Sequence, residues 1–265
     1  MNGKNIKALV FDVFGTVVDW RTSIARQAKE FGSKHGVEAN WNQFADDWRD
    51  GYHSGMIKVN SGEDKWKIVD EIHRDRLDLL IEKYEFPALE EDEIVEFNKS
   101  WHRLEGWPDS TAGLNRLKSK FIVASLSNGN VALLTNMAKF ANLPWDAVLS
   151  AELAGKYKTH PWAYQRTAQL LGLKPEEVML VAAHNGDLRG AINAGLHAAL
   201  VTRPNEFGNS KKPDLEPEPD FAFFPKIFTI LLTSLVVTDN PKFKDRENEL
   251  EFRKCCTSHR LYYRR

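Results

Sequence analysis

The chain has 265 residues, 42% of them hydrophobic, and a formal net charge of −1 at pH 7. It is long and apolar enough for one or two folded domains, and its near-neutral charge argues against nucleic acid or a membrane as partner. The start, MNGKNIK, lacks the apolar core of a signal peptide. The only cysteines, Cys255 and Cys256, are adjacent and have only His259 nearby, so we expect no disulfide framework, no zinc site and a cytoplasmic location.

Short apolar runs alternate with longer amphipathic stretches along most of the chain. Five runs predict strands, because strands buried on both faces of a sheet are almost continuously apolar. They are KALVFDVF, KFIVASLS, DAVLSAEL, EVMLVAAH and HAALVT. Helices are predicted at residues 111–118, 131–141, 162–171 and 188–194. Gly172 and Gly195 fall where two of them end. This alternation predicts an α/β fold with a Rossmann-like parallel sheet core.

One block interrupts the alternation directly after the first strand. Residues 21–106 have helical patterning throughout, with many Trp and charged residues and no convincing strand. Such an insert either folds over the strand ends as a lid or forms a packed helical subdomain with no part in the chemistry. We therefore expect a catalytic core of residues 1–20 and 107–224 and a helical cap of residues 21–106.

The C-terminal end has a different character. After the linker SKKPDLEPEPD, residues 221–224 predict a last strand. The apolar run at 227–237 is too short for a membrane-spanning helix, which needs about 20 residues. An added strand, an interface and a disordered tail all fit this run. Residues 225–265 are thus an atypical segment of unknown role.

Polar side chains follow the predicted strands at the points where they end. They are Asp12, Ser127, Asn128, Lys158, His184 and Asp187. Because the carboxyl ends of parallel strands meet at one edge of a sheet, we expect these side chains to converge there. Each also has an ordinary explanation. Ser127 or Asn128 can cap a helix, Lys158 can be a solvated lysine, and an acid such as Asp187 suits a helix N-terminus.

The segments LVFDVFGT, SLSNG, KYKTHP and VAAHNGDLRGA together resemble the motifs of the haloacid dehalogenase superfamily. The resemblance runs in order from about residue 6 to 224 and is greatest to the type II L-2-haloacid dehalogenases. It implies a helical cap inserted after the first strand and hydrolysis of short L-2-haloacids to 2-hydroxy acids through an aspartyl ester. It also implies that the haloacid and water are the only small-molecule partners, that no cofactor is needed and that the chain forms a homodimer.

Two positions separate branches of this superfamily. Its phosphatases carry a second aspartate two residues after the nucleophile, as a general acid, and another four residues before the last-motif aspartate, where it helps to hold magnesium. Here these positions are Phe14 and Ala183. A phenyl ring cannot protonate a leaving alkoxide, whereas a halide leaves without a proton. Magnesium needs several oxygen ligands, so we expect no metal and regard Phe14 as an apolar wall of the pocket.

By resemblance, Asp12 is the nucleophile, and its carboxyl is already ionised at neutral pH. Lys158 would support that charge, and Asp187 would orient the water that hydrolyses the ester. Thr16 would bond Asp12 or the ester carbonyl, although stabilising the turn is its alternative role. Tyr164, six residues after Lys158, also matches the family pattern, although a tyrosine on an amphipathic helix is usually a packing residue.

The remaining matches concern binding. Ser127 and Asn128 would cradle the substrate carboxylate, and Arg49 of WRDGY would receive the halide unless it is a surface arginine. His184 stands where many relatives have asparagine, and either binds halide or substrate beside the nucleophile or caps a helix. Two other functions stay open: a magnesium-dependent phosphomonoesterase and a non-catalytic binding protein.

Overall fold

A five-stranded parallel sheet forms the centre of the computed structural model, which describes residues 6–224. In chain order the strands are β1 (Ala8–Phe11), β2 (Val18–Asp19), β3 (Glu105–Gly106), β4 (Ile122–Ser125), β5 (Val178–Ala182), β6 (His197–Val201) and β7 (Ala222–Phe224). The sheet has the order β4-β1-β5-β6-β7, and all neighbouring pairs are parallel. β1 is therefore a central strand, and its residues are fully buried. The predicted α/β fold is confirmed.

Eight α-helices accompany the strands in the described part of the chain. They are α1 (Trp20–Lys34), α2 (Trp41–Ser61), α3 (Val69–Lys83), α4 (Glu91–Asn98), α5 (Ser110–Lys118), α6 (Val131–Phe140), α7 (Pro161–Leu170) and α8 (Asn185–Asn193). The last four match the predicted helices to within about three residues. Gly172 and Gly195 follow α7 and α8 with φ of +67° and +92°, a left-handed conformation that ends a helix at little cost for glycine.

The predicted strand DAVLSAEL is wrong. Its residues make only two isolated bridges to the β4 side of the sheet, Ala124 to Ala147 and Ser127 to Ser150, and Ala151–Ala154 is a 3₁₀ turn. Backbone bonds such as the one from the Asp146 N–H to the Val123 carbonyl, at 2.8 Å, remain, but side chains interrupt the ladder, because the Ser125 hydroxyl bonds both the N–H and the carbonyl of Leu149 at 2.9 Å. An apolar run predicts burial at this edge, but it does not show that side chains interrupt the backbone pairing.

Helices α1 to α4 lie between β2 and β3. These short strands pair antiparallel, with Val18 opposite Gly106, so the chain leaves and returns at one place. β3 lies at the end of the block predicted to be wholly helical, so the prediction is wrong at these residues. They are extended because they pair with β2. Asp19 begins α1 by accepting a hydrogen bond from the Thr22 N–H at 3.1 Å. Trp48 packs its ring 5.6 Å from that of Trp101, inside an aromatic core of this segment.

At the C-terminal end of the described chain, β7 confirms the strand predicted at residues 221–224. The predictions for the run at 227–237 and for Cys255 and Cys256 lie outside the described residues. Within residues 6–224, no helix combines the length and the apolar character needed to cross a membrane.

Candidate active site

Asp12 directly follows β1 and is bonded to the neighbouring strand β5. Its N–H donates to the Val181 carbonyl of β5 at 3.1 Å, and only 7% of the residue is exposed. The apolar run that forms β1 therefore delivers a single carboxylate to the carboxyl edge of the sheet. Thr16, four residues on, donates its hydroxyl to Asp12 Oδ2 at 2.7 Å and accepts from the Ala183 N–H at 2.9 Å. These two bonds fix the orientation of the Thr16 hydroxyl and of the Asp12 carboxylate.

The Lys158 ammonium is surrounded by three oxygen acceptors. Nζ lies 2.9 Å from Asp12 Oδ1, 2.6 Å from Asp187 Oδ2 and 3.0 Å from the Leu126 carbonyl. The Asn128 side-chain carbonyl also accepts the Lys158 N–H at 2.8 Å. Burial alone would lower the pKa of Lys158, but the two carboxylates outweigh it and raise that pKa. The lysine therefore stays protonated.

Opposing effects act on the Asp12 carboxyl. Burial raises its pKa, but the Lys158 ammonium and the His184 imidazole outweigh burial and hold the pKa well below its ordinary value. Asp12 is therefore an ionised carboxylate with limited access to solvent. A charged oxygen that water solvates only partly is well suited to nucleophilic attack.

Asp187 lies in the first turn of α8, and both of its carboxylate oxygens are occupied. Lys158 bonds Oδ2, and the hydroxyl of the fully buried Tyr164 donates to Oδ1 at 2.7 Å. Burial and the nearby charge of Asp12 raise the pKa of Asp187, although Lys158 and the bond from Tyr164 act in the opposite direction. Tyr164 is thus brought into the site from α7.

His184 connects Asp12 to Glu206, a residue that the sequence analysis missed. Its Nδ1 lies 3.4 Å from Asp12 Oδ2, and its Nε2 lies 2.9 and 3.0 Å from the two Glu206 oxygens. Glu206 is 2% exposed and also accepts from Trp20 Nε1 at 3.2 Å. Burial lowers the pKa of His184, but the bonds to Asp12 and Glu206 prevail and raise it to about 10. Glu206 lies in the loop after β6, at the same sheet edge as the other strand ends. This position is the feature of the sequence by which Glu206 could have been found.

Arg49 extends from α2 into a box of aromatic rings. Its Cζ lies 4.1 Å from the Tyr52 ring centroid, 5.1 Å from that of Phe14 and 5.4 Å from that of Trp20. Within residues 6–224, no carboxylate pairs with this guanidinium, and its buried Nη1 has no hydrogen-bond partner. A sheltered cation without a counterion is a ready site for a small anion.

Phe14 and Ser127 complete the set of predicted residues. Phe14 is 1% exposed, and its ring centroid lies 6.0 Å from those of both Tyr52 and Trp101. Ser127 is fully buried, and its hydroxyl accepts the Gly129 N–H at 3.3 Å, within its own turn. The structure therefore brings Phe14 against Arg49, whereas the Ser127 hydroxyl bonds within its own turn.

A cavity of about 730 Å³ lies between α1, α2 and the loop after β6. Arg49, His184, Gly186 and Glu206 are among its lining residues, and it is large enough for a small organic acid. At the sheet edge the Lys158 ammonium bonds both Asp12 and Asp187. Within residues 6–224, no three or more His, Cys, Asp or Glu side chains are grouped to hold a metal ion.

Comparison with known proteins identifies the family of this chain. The family model for haloacid dehalogenase-like hydrolases matches residues 6–195. (S)-2-haloacid dehalogenase 4A of Burkholderia cepacia is 29% identical over 80% of this chain and 89% of its own length. The crystal structure of the defluorinating L-2-haloacid dehalogenase Rha0230 is 42% identical, with a TM-score of 0.85 over 88% of this chain and 96% of that one. The L-2-haloacid dehalogenase PA0810 is 39% identical, with a TM-score of 0.82 over 87% of this chain and 100% of that one. With most of its length matched in both sequence and structure, the chain belongs to the family of haloacid dehalogenase-like hydrolases.

Proposed function

We propose that this protein hydrolyses the carbon–halogen bond of short L-2-haloacids and releases 2-hydroxy acids. The observation that carries the proposal is the pairing of Phe14 with Arg49, whose guanidinium lies 5.1 Å from the phenyl centroid. An apolar ring beside an unpaired cation suits an alkyl halide, because the ring contacts the carbon chain and the cation receives the halide. The similarity to named (S)- and L-2-haloacid dehalogenases supports the same activity.

In the first half of the reaction, the Asp12 carboxylate attacks the carbon that bears the halogen. A carbon–oxygen bond forms, the carbon–halogen bond breaks with inversion, and the halide leaves with the bonding electron pair. Arg49 stabilises the halide. The substrate carboxylate needs donors because it approaches an anion, and the Asn128 amide and the N–H groups before α6 are suitable. Ser127 remains a predicted member of this cradle.

In the second half, water attacks the carbonyl carbon of the Asp12 ester. Whichever Asp12 oxygen carries the alkyl group, the other keeps a donor, because Lys158 bonds Oδ1 and Thr16 bonds Oδ2. That donor stabilises the negative charge of the tetrahedral intermediate. Asp187 and Tyr164 act by holding the Lys158 ammonium in place.

The proposal extends to domain roles. Residues 1–20 and 107–224 would form the catalytic core, and residues 21–106 would form a cap that supplies Arg49. Support comes from the cavity, which Trp20 and Arg49 line together with His184 and Glu206. A homodimer and a cytoplasmic location remain predictions from the resemblance.

The test is halide release from L- and D-2-chloropropionate with EDTA present, alongside phosphate release from an aryl phosphate with magnesium. We expect halide from the L isomer alone and none from Asp12→Asn. Phosphate without halide would identify a phosphatase instead. A folded protein that is inactive in both assays would favour a non-catalytic binding role.

A further inference from the structure

We propose that Asn60, in the helical segment of residues 21–106, positions Lys158 by taking the place of the strand that this lysine lacks. The inference rests on the proposed function, because Lys158 is the cation assigned to that reaction. Asn60 acts through the backbone that carries the lysine and is a positioning residue.

Lys158 differs from the two carboxylates that it bonds in how its backbone is supported. Asp12 directly follows β1, and Asp187 lies in the first turn of α8, shortly after β5. No strand precedes Lys158, because Ala151–Ala154 is a 3₁₀ turn and the lysine itself lies in a turn. A lysine side chain is long and flexible, so the position of its Nζ depends on a fixed backbone. The backbone groups at this point therefore need partners other than a sheet.

The side-chain amide of Asn60 supplies these partners. Asn60 lies near the end of α2; its Oδ1 accepts the Tyr157 N–H at 3.0 Å, and its Nδ2 donates to the Tyr157 carbonyl at 3.0 Å. A side-chain amide has the same donor and acceptor as a peptide bond, so this pair repeats the two bonds that a residue makes with a neighbouring strand. The carbonyl also accepts the His160 N–H at 3.0 Å. For the Tyr157 N–H, Asn60 is the only partner found within residues 6–224.

The Tyr157 side chain is held by the same helical segment. Tyr157 is fully buried, and its ring centroid lies 4.7 Å from that of Trp66, with the ring planes 23° apart. Its hydroxyl donates to the Lys67 carbonyl. Both the backbone and the side chain of the residue before the lysine are thus fixed by residues 21–106.

The peptide bond between Tyr157 and Lys158 has a side-chain amide on each side. Its carbonyl accepts from Asn60, and its N–H donates to the Asn128 side-chain carbonyl at 2.8 Å. Because both groups of this peptide bond are held, the lysine side chain starts from one defined point. From there its Nζ meets the two carboxylates at 2.9 and 2.6 Å.

Loss of the Asn60 amide should therefore reach the chemistry through the lysine. The Tyr157 N–H would be buried without a partner, which costs free energy, so we expect the backbone to shift. A displaced ammonium supports the two carboxylates less well. Lys158 lowers the pKa of Asp187, which burial has already raised, so that pKa should rise further. Activity would then be lost at a higher pH as the solution is acidified.

The first test compares profiles of kcat/KM against pH for L-2-chloropropionate in Asn60→Leu and Asn136→Leu. Asn136 of α6 is the matched control, because its amide bonds the His102 ring at 2.9 Å and also joins the helical segment to the core. We expect Asn60→Leu to lower kcat/KM by about 10²-fold, as a misplacement of about 1 Å can do, and to move the acid limb to higher pH. Asn136→Leu should leave the acid limb where it is. Equal profiles for the two variants would overturn the proposal.

The second test measures stability and needs no activity. If Asn60 acts through Lys158, the double variant Asn60→Leu with Lys158→Gln should lose less unfolding free energy than the sum of the single losses. Asn136→Leu combined with Lys158→Gln should give additive losses. Urea denaturation near neutral pH supplies all of these values. Additive losses for Asn60 and Lys158 would overturn the proposal and leave Asn60 as a contact that only joins two parts of the fold.

Asn60→Ala takes the place of Asn60→Leu in both tests if the leucine variant does not fold. The smaller side chain leaves room for water beside the Tyr157 N–H, but water fixes the backbone less firmly than the amide does. If the unmodified enzyme releases no halide, the proposed function fails. The stability measurements then still decide whether Asn60 holds Lys158.

Discussion

The Lys158 ammonium lies 2.9 Å from Asp12 Oδ1, although 146 residues separate the two in the chain. The same Nζ lies 2.6 Å from Asp187, so one cation serves two buried carboxylates. Without it, two like charges would face each other in a site largely shielded from water. The lysine thus links the stability of the sheet edge to the ionisation of the nucleophile.

Removing this cation should damage folding as well as activity. We expect Lys158→Gln to lower the free energy of unfolding by about 3–5 kcal/mol, because breaking a buried ion pair leaves uncompensated charge. Urea denaturation near neutral pH measures the change. Lys139→Gln, an exposed lysine on α6, should change it by less than about 0.5 kcal/mol. Equal effects of the two variants would show that Lys158 is not a structural cation.

The phenol of Tyr164 should set the acid limb of the activity profile. Its bond to Asp187 favours the ionised carboxylate, so Tyr164→Phe should raise the pKa of Asp187 further. Activity should then be lost at a higher pH as the solution is acidified, which a profile of kcat/KM against pH measures. Tyr84→Phe removes a similar phenol–carboxylate bond, to Asp47 in the helical segment, and should leave the acid limb unchanged.

Arg49 should matter most when the leaving group is poor. We expect Arg49→Gln to lower kcat for chloride release by about 10²–10³-fold, as loss of one charge-stabilising donor does in other enzymes. The loss should be smaller for the matching 2-bromo acid, because bromide leaves more readily. Arg26→Gln, an exposed arginine on α1, is the matched control. An equal loss with both halides would argue against contact with the departing ion.

The ion pairs of His184 should make stability depend on pH in a defined direction. Its pKa is about 10 in the folded protein, against an ordinary value of 6.5. The imidazolium therefore contributes its full stabilisation below about pH 6.5 and loses it as the pH rises towards about 10. The difference in unfolding free energy between the unmodified protein and His184→Gln should shrink over this range. A difference that is constant with pH would contradict the assignment of the ion pairs.

Several features of the fold follow from local sequence. The apolar runs predicted four of the sheet strands, and Phe221 to Phe224 predicted a fifth, because burial on both faces leaves a continuous apolar signal. Helices α5 to α8 were predicted because their apolar spacing and terminal glycines are local too. The run at DAVLSAEL has the same signal, but bonds from the side chains of Ser125 and Asp146 interrupt its backbone pairing, so that it forms no strand.

The sequence by itself also determined which polar residues reach the sheet edge, because most of them, such as Asp12 and Asp187, follow a strand whose direction is set. Lys158 is the exception, since the segment before it forms no strand. Only the tertiary structure decided which atoms meet: Lys158 with two carboxylates, His184 with Glu206, and Arg49 with aromatic rings and no described counterion. These contacts join segments far apart in the chain, so no local pattern encodes them. Side-chain charges interact over a few ångströms, and those distances exist only once the strands and helices have packed.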